Sequence, residues 1–326
     1  MTTAADKPFD DIRNLVAGMP PSDLQSANAM RDALAPFQER LKTIGRLEPA
    51  LVWLAGWQSR IDIAIDRPLI AVFAASQGVA QAMSGQDAGQ GAKERVALMT
   101  EGPAGVRAIA SVYGAAFKVF ELGTEYPSAD FSKQPSLSEK DCAAAIAFGM
   151  EVVAEGADML VLGDCGFGSA TAAAGIARGL YGGQSTYWSG GRTQAGTERI
   201  DAVREGAHLH AEFLSDPLEV LRRFGGRDIA GLVGAILAAR HQRIPVLLDG
   251  FVVCAAAAVL HKIDPGAIDH CYAGHISAEP AHGALLDRLG LTPLLDLGIG
   301  VGDGTGAALA MGQLKAAAAA ASLMSA

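Results

Sequence analysis

A doubly wound, mostly parallel α/β sheet is the fold class that the chain predicts, and three observations carry it. From Pro68 onward, short apolar runs alternate with Ala-rich stretches of helical length. Those runs are apolar on both faces, as strands covered by helices on either side must be. Glycine is abundant and aromatics make up only 6% of the residues, a mix that suits close helix-on-sheet packing through tight turns.

The elements follow in order. Residues 9–58 read as helical, with no strand pattern. Pro20-Pro21-Ser22-Asp23 marks a helix start, with Ser22 as the cap of the run 24–39. A second helix covers 48–58. Strands are expected at 69–75, 117–122, 159–162, 245–248, 269–273 and 293–297. Helices are expected at 106–116, 139–154, 171–180, 229–240, 252–260 and 281–289. Residues 82–91 and 181–196 read as irregular loops, and loops of such length in a compact α/β domain are often functional. The Ala-rich stretch 315–321 continues the last helix.

At 326 residues the chain accommodates one large domain with an elaboration, or two domains. Half of it is hydrophobic and 19% charged, which excludes a largely disordered protein. A net charge of −9 argues against nucleic acid as a partner, because that needs clustered Lys and Arg. A small anionic substrate needs only a few local donors and is compatible with it. Residues 1–14 lack the apolar core of a signal peptide, and no apolar run reaches membrane-spanning length. Cys142, Cys165, Cys254 and Cys271 have no paired spacing and read as reduced thiols of a cytoplasmic protein, rather than a disulfide or zinc set.

Ligands of open α/β sheets bind beyond the carboxyl ends of the strands. Three such ends carry suggestive loops. Residues 162–171 (LGDCGFGSAT) run from a strand into a helix, where glycines allow close approach and the helix start offers N–H donors to a phosphate. A tight turn without ligand explains the same spacing. Residues 297–308 (LGIGVGDGTGAA) place five glycines at alternate positions around Asp303. That carboxylate reads either as a base or cation stabiliser, or as a turn residue bonding nearby N–H groups. The spacing is not that of a dinucleotide fingerprint. Asp249, after the run 245–248, reads as the cap of the helix that begins near Val252.

Among the histidines, His208 and His210 are two apart and make poor joint metal ligands. His241 and His261 fall near helix C-termini, where a cation is favoured. His275 follows a strand and is the one placed near a site. No phosphate loop ending in Gly-Lys-Ser/Thr, nucleophile elbow or zinc helix occurs.

Taken together, these segments resemble the nicotinate-nucleotide:dimethylbenzimidazole phosphoribosyltransferase family. The resemblance begins at Lys42-Thr43-Ile44-Gly45-Arg46-Leu47-Glu48, a shortened form of a Lys-Pro-Pro-Gly-Ser-Leu-Gly-Arg-Leu-Glu segment. It is strongest in GGRDIA (225–230), AILAARHQRIPVLLDGF (235–251), GHISAE (274–279) and GDGTGAAL (302–309). It implies a Rossmann-like parallel sheet, residues 61–309, with a smaller helical domain from residues 1–60 completed by 310–326. It implies a homodimer that needs no metal or redox cofactor. The reaction implied moves the phosphoribosyl group of nicotinate mononucleotide to 5,6-dimethylbenzimidazole or a related aromatic base. Such chemistry calls for phosphate anchors, a carboxylate near the sugar and a carboxylate base near the azole.

Residue by residue, the family's Gly-Glu-Gly-Ser/Thr-Gly loop maps on Gly302, Asp303, Gly304, Thr305 and Gly306, so Asp303 stands at the proposed base and Gly302, Gly304, Thr305 and Gly306 are expected at the nucleotide phosphate. Its Gly-Glu-Leu/Met-Gly-x-x-Asn-Thr-Thr loop maps on 163–171. There Asp164 replaces the second Glu, Ser169-Ala170 replace Asn-Thr, and Gly163, Gly166, Gly168 and Thr171 are expected at the nucleotide. Ser277 and Arg199 take nucleotide-holding positions. Ser76, Gln77, Cys165 and Val301 are expected at the base pocket. The family's Asp-His-Gly-Val strand end reads Ser76-Gln77-Gly78-Val79, its base-pocket stretch has no match in 82–93, and its Arg-Gly-Thr-Gly loop survives only loosely at Gly190-Gly191-Arg192-Thr193. Three readings follow: a phosphoribosyltransferase, a non-catalytic paralogue that binds a nucleotide or base or partners an active homologue, and a nucleotide hydrolase.

Overall fold

A computed structural model describes residues 8–42, 45–190 and 194–325. Thr43 and Ile44 of the first family segment and Gly191, Arg192 and Thr193 of the loose loop lie outside these described residues. Three helices, α1 (Pro8–Ala17), α2 (Leu24–Leu41) and α3 (Glu48–Gln58), precede the first strand, β1 (Pro68–Ala74). Helices α4 (Gly78–Ser84), α5 (Ala88–Thr100) and α6 (Gly105–Tyr113) lead to β2 (Ala116–Glu121), and α7 (Glu139–Met150) leads to β3 (Met159–Asp164). Then come α8 (Ser169–Tyr181), α9 (Ser185–Ser189), α10 (Gln194–Leu209), α11 (Pro217–Phe224) and α12 (Arg227–His241). The chain closes with β4 (Val246–Leu248), α13 (Gly250–Ile263), β5 (Cys271–Ala273), β6 (His275–Ile276), α14 (His282–Leu289), β7 (Leu295–Asp296) and α15 (Thr305–Ser325).

Five strands form one fully parallel sheet in the order β2-β1-β3-β4-β5. The chain steps from β1 to β2 on one side and then to β3, β4 and β5 on the other. The order therefore reverses between β1 and β3, the place where loops part and ligands enter. The central strand β1 shows why its sequence is apolar throughout. Leu69, Ala71 and Phe73 join the core under α7, α8, α12 and α13, while Ile70, Val72 and Ala74 join the core under α2, α3, α6 and α15. A two-residue period delivers alternate side chains to opposite faces, and both faces are covered. Helices α7 and α12 approach backbone to backbone: a Cβ on Gly149 or Gly234 would collide with the carbonyls of Gly231 and Ile146. Helix α1 lies on α7 and α13, on the face away from α2, α3 and α15.

The strand run at 293–297 is present only as β7, and it pairs with β6 in a separate two-stranded ladder rather than with the main sheet. Residues 82–91 are not one loop, because α4 ends at Ser84 and α5 begins at Ala88, with the Asp87 carboxylate accepting from Gln90 N at 2.7 Å. Residues 181–196 likewise contain α9 and the start of α10. The cap of α2 falls one residue later than Ser22: Asp23 accepts from the backbone N–H groups of Gln25 and Ser26. Among the described residues, no helix is long and apolar enough to cross a membrane. All four cysteines are unpaired and buried.

Candidate active site

Asp164 ends β3 and Asp303 sits in the turn before α15, yet both line one cavity of about 600 Å³ at the carboxyl end of the sheet. That volume is within the usual range for small-molecule sites. Backbone contact brings the two together. Asp164 N donates to Gly302 O at 2.7 Å, and a Cβ on Gly163 would lie 2.5 Å from Gly304 N and 2.6 Å from Asp303 C. Gly163 is therefore bare because the 302–304 turn lies directly across it. Gly304 (φ +94°) packs against Ile70 and Val72, and Gly306 lies flat on the His275 ring.

The 302–307 turn is held from β4. Asp249, fully buried, accepts from Gly304 N at 2.9 Å and Ala307 N at 2.6 Å. It makes no side-chain bond to α13, the helix it immediately precedes. It caps α15 across the sheet instead, and the expectation of a local cap is corrected. Asp303 accepts from Thr305 N at 3.1 Å and is only half-buried, so turn residue and cavity carboxylate are one and the same. The donors that lead α15 are thereby committed. Gly304, Thr305 and Gly306 do not line the cavity; Gly302 and Val301 do.

Helix α8 begins differently. Gly168, its N-cap, has φ +91° and no side chain with which to cap the helix, and Thr171 N donates to Gly168 O at 2.9 Å. Gly166, Gly168, Ser169, Ala170 and Thr171 line the cavity there, beside Cys165. Burial pushes the Cys165 thiol up, and it is uncharged at neutral pH.

Behind this loop lies Asp228, wholly buried in the first turn of α12. Gln77 Nε2 donates to its Oδ1 at 2.8 Å, Ser169 Oγ to its Oδ2 at 2.6 Å, and its own residue's neighbour Ile229 N to Oδ1 at 2.8 Å. Gln77 also accepts from Ser128 Oγ at 3.0 Å, and Ser76 Oγ donates to Thr124 O at 2.8 Å. Ser76 and Gln77 are thus turned inward and do not line the cavity, unlike Cys165 and Val301. Two positions that depart from the family pattern, Gln77 and Ser169, converge on this one carboxylate. Burial and the charge of Asp228 hold Asp164 well above the usual carboxylate range.

Arg199 and Ser277 line the same cavity. Arg199 is already engaged, donating to Glu279 Oε1 at 2.8 Å and Ser189 O at 2.9 Å. Ser277 N donates to His282 Nδ1 at 2.9 Å, which leaves the His282 Nε2–H to face Cys254 Sγ at 3.3 Å. Burial lowers the His282 pKa to about 4, so it serves as a neutral anchor for the Ser277 turn. His275 lies just behind the site, 3.2 Å from Asp249, rather than in it. His261 sits in the last turn of α13, but burial lowers its pKa and removes the cation expected there. His241 ends α12 and bonds Leu15 O, and His210 bonds Phe131 O.

Sequence reading missed Arg95, Glu279 and the opposite wall. Arg95, on α5, lines the cavity, donates to Gly166 O at 2.8 Å and stands 5.4 Å over the Phe167 ring. Leu98, Met99 and Pro103 continue that wall. The signal available was Asp87 as an N-cap ahead of KERVALMT (93–100), hidden by the glycines between. Among the described residues, no group of three or more His, Cys, Asp or Glu is arranged to hold a metal ion.

The profile of a family described as phosphoribosyltransferase matches residues 19–326. The nicotinate-nucleotide–dimethylbenzimidazole phosphoribosyltransferase of Rhizobium rhizogenes is 47% identical over 296 residues, covering 90% of this chain and 87% of its own. That of Methylocella silvestris is 45% identical over 298 residues, with the same coverage of each chain. The crystal structure of CobT from Thermus thermophilus superposes with a TM-score of 0.82 at 30% identity, over 90% of this chain and 95% of that one. A parallel sheet with this helical arrangement, a whole-length profile match and relatives at such identity agree, and the chain belongs to the nicotinate-nucleotide–dimethylbenzimidazole phosphoribosyltransferase family.

Proposed function

We propose that the protein transfers the phosphoribosyl group of nicotinate mononucleotide to 5,6-dimethylbenzimidazole or a related aromatic base, giving α-ribazole 5′-phosphate and nicotinate. The observation that carries this reading is the convergence of Asp164, Asp303 and the bare start of α8 on one cavity. A helix start free of capping side chains suits the nucleotide phosphate. Arg199 with its partner Glu279, and Ser277, flank the space for the ribose. As the bond from C1′ to the pyridine nitrogen breaks, positive charge builds on the sugar, and the acidic side of the cavity stabilises it. Asp303 takes the N–H proton of the azole as its other nitrogen bonds C1′. The wall of Leu98, Met99 and Val301 offers the apolar surface that a planar ring system needs.

The same reading carries a homodimer and a small helical domain (1–60 with 310–326); packing of α2 and α3 on α15 supports the latter. Buried, unpaired cysteines suit a reducing, cytoplasmic setting. The test is to incubate pure protein with nicotinate mononucleotide, with and without dimethylbenzimidazole, and follow nicotinate. Release that depends on the azole is expected. Release without the azole would replace transfer by hydrolysis, and measurable nucleotide binding without release would favour the non-catalytic paralogue.

A further inference from the structure

We infer, resting on the phosphoribosyl-transfer reading, that Arg95 determines the choice of acceptor base. The class it selects is an aromatic azole that carries an oxygen, a carboxylate above all, on the ring remote from the azole nitrogens.

Five charged side chains line the cavity: Asp164, Asp303, Glu279, Arg199 and Arg95. The two guanidinium groups are not equivalent. Arg199 is neutralised by Glu279 at 2.8 Å and bonds Ser189 O as well. Arg95 gives one N–H to a backbone carbonyl, Gly166 O at 2.8 Å. Among the described residues, no carboxylate lies within ion-pair distance of it. Its chain neighbour Glu94 is turned to Gln90 Nε2 at 3.0 Å. Arg95 is thus the cation of the cavity wall that the protein leaves without an anion.

Local packing sets it there. One turn before Arg95, Gly91 is bare because Phe167 fills its place: a Cβ would lie 2.6 Å from the ring. Helix α5 is pressed onto the loop after β3, and Arg95, four residues on along the same face, stands 5.4 Å over the Phe167 ring. Its charge reaches the Asp164 carboxyl and the Cys165 thiol, where it opposes the rise that burial causes.

Leu98 and Met99, three and four residues further, continue that face, with Pro103 beyond and Val301 and Val252 also on the cavity. A planar ring is therefore offered an apolar slot with one guanidinium set in its wall. A methyl group there strips water from the N–H donors and returns nothing, whereas an oxygen accepts from them. A carboxylate matches the planar fork with two parallel bonds. The nucleotide phosphate, placed at the start of α8, does not need this cation.

Calorimetric titration with benzimidazole-5-carboxylate and with 5,6-dimethylbenzimidazole tests the preference without turnover. The wild type is expected to bind the carboxylate about tenfold more tightly than the dimethyl ring, Arg95→Lys to keep part of that difference, and Arg95→Met to reverse it. Equal affinities in the wild type, or no binding of the carboxylate, would overturn the inference. So would an equal loss for both bases in Arg95→Met, which would reduce Arg95 to a prop for the Gly166 carbonyl. Nicotinate mononucleotide is expected to bind Arg95→Met within about twofold of wild type, and a loss of about tenfold would give the cation to the nucleotide instead. Absence of nicotinate release with both azoles is a separate result: it would sink phosphoribosyl transfer whichever base binds better.

Discussion

Two glycine-rich loops, one leaving β3 of the main sheet and one leaving β7 of the small ladder, meet at one cavity, and they do opposite things with their helices. The loop after β3 ends at α8, whose N-cap is Gly168 and makes no side-chain cap. The loop before α15 ends at a helix whose leading donors are committed, Gly304 N and Ala307 N to Asp249 and Thr305 N to Asp303. Glycine spacing alone does not separate the two. Its cause differs: around α15 the glycines permit packing against β3, β1 and His275, whereas at Gly168 glycine supplies a left-handed cap without a side chain. Anions go where donors remain free, and on that ground the proposed function has the first loop hold the nucleotide and the second carry the base.

The sharpest break of that division is Asp303→Asn, which keeps shape and removes the base. Turnover is expected to fall by about 10³-fold or more while the dissociation constant for nicotinate mononucleotide changes by less than about twofold. A matching loss of affinity, measured by calorimetry, would return the second loop to nucleotide holding. Next in size is Gly163→Ala. The added methyl would displace the Asp303 turn from β3, and a shift of about 1 Å costs about 10²-fold in kcat. Steady-state kinetics on protein with an unchanged circular dichroism spectrum checks this; wild-type kcat would mean that Asp303 does not need its seat on β3. A smaller effect is read by hydrogen exchange with inorganic phosphate as ligand. The amides of 169–171 are expected to slow several-fold, and those of 304–307 to stay as they were. Protection of 304–307 instead would reverse the assignment of the loops.

Much of the framework was legible because it is periodic. The five main-sheet strands and the helices α7, α8, α12 and α13 follow from apolar runs of two lengths, whereas α5 and α10 do not, and the strand ends point to the cavity with no structure in hand. Asp164 and Asp303 were legible as acids among glycines. What escaped was every relation across the chain. Asp249 reads locally as the cap of α13 and caps α15, 55 residues beyond it. Ser76, Gln77 and Ser169 read as altered site residues, yet Gln77 and Ser169 serve Asp228 and Ser76 bonds a loop carbonyl. Arg95 hid on a helix whose first turn is masked by Gly89 and Gly91, both kept small by neighbours from other elements. Local pattern fixes elements; long-range hydrogen bonding decides which residue serves which.

The smallest effect concerns Asp249, which holds the second loop from β4. Asp249 faces His275 at 3.2 Å in a site without solvent. Burial opposes a charged imidazole, but the hydrogen bond and charge of Asp249 outweigh it and raise the His275 pKa above its ordinary 6.5. A histidine raised on folding adds stability that is complete below the unfolded pKa and is lost as pH rises through the folded one. Stability is therefore expected to decline above pH 6.5 by this contribution, and His275→Gln to flatten that decline in thermal melts. Because Asp249 keeps its two backbone donors in the variant, α15 stays capped and the effect remains modest. A variant with the same slope as wild type would show that His275 is neutral throughout, and that Asp249 holds the Asp303 turn by backbone donors alone.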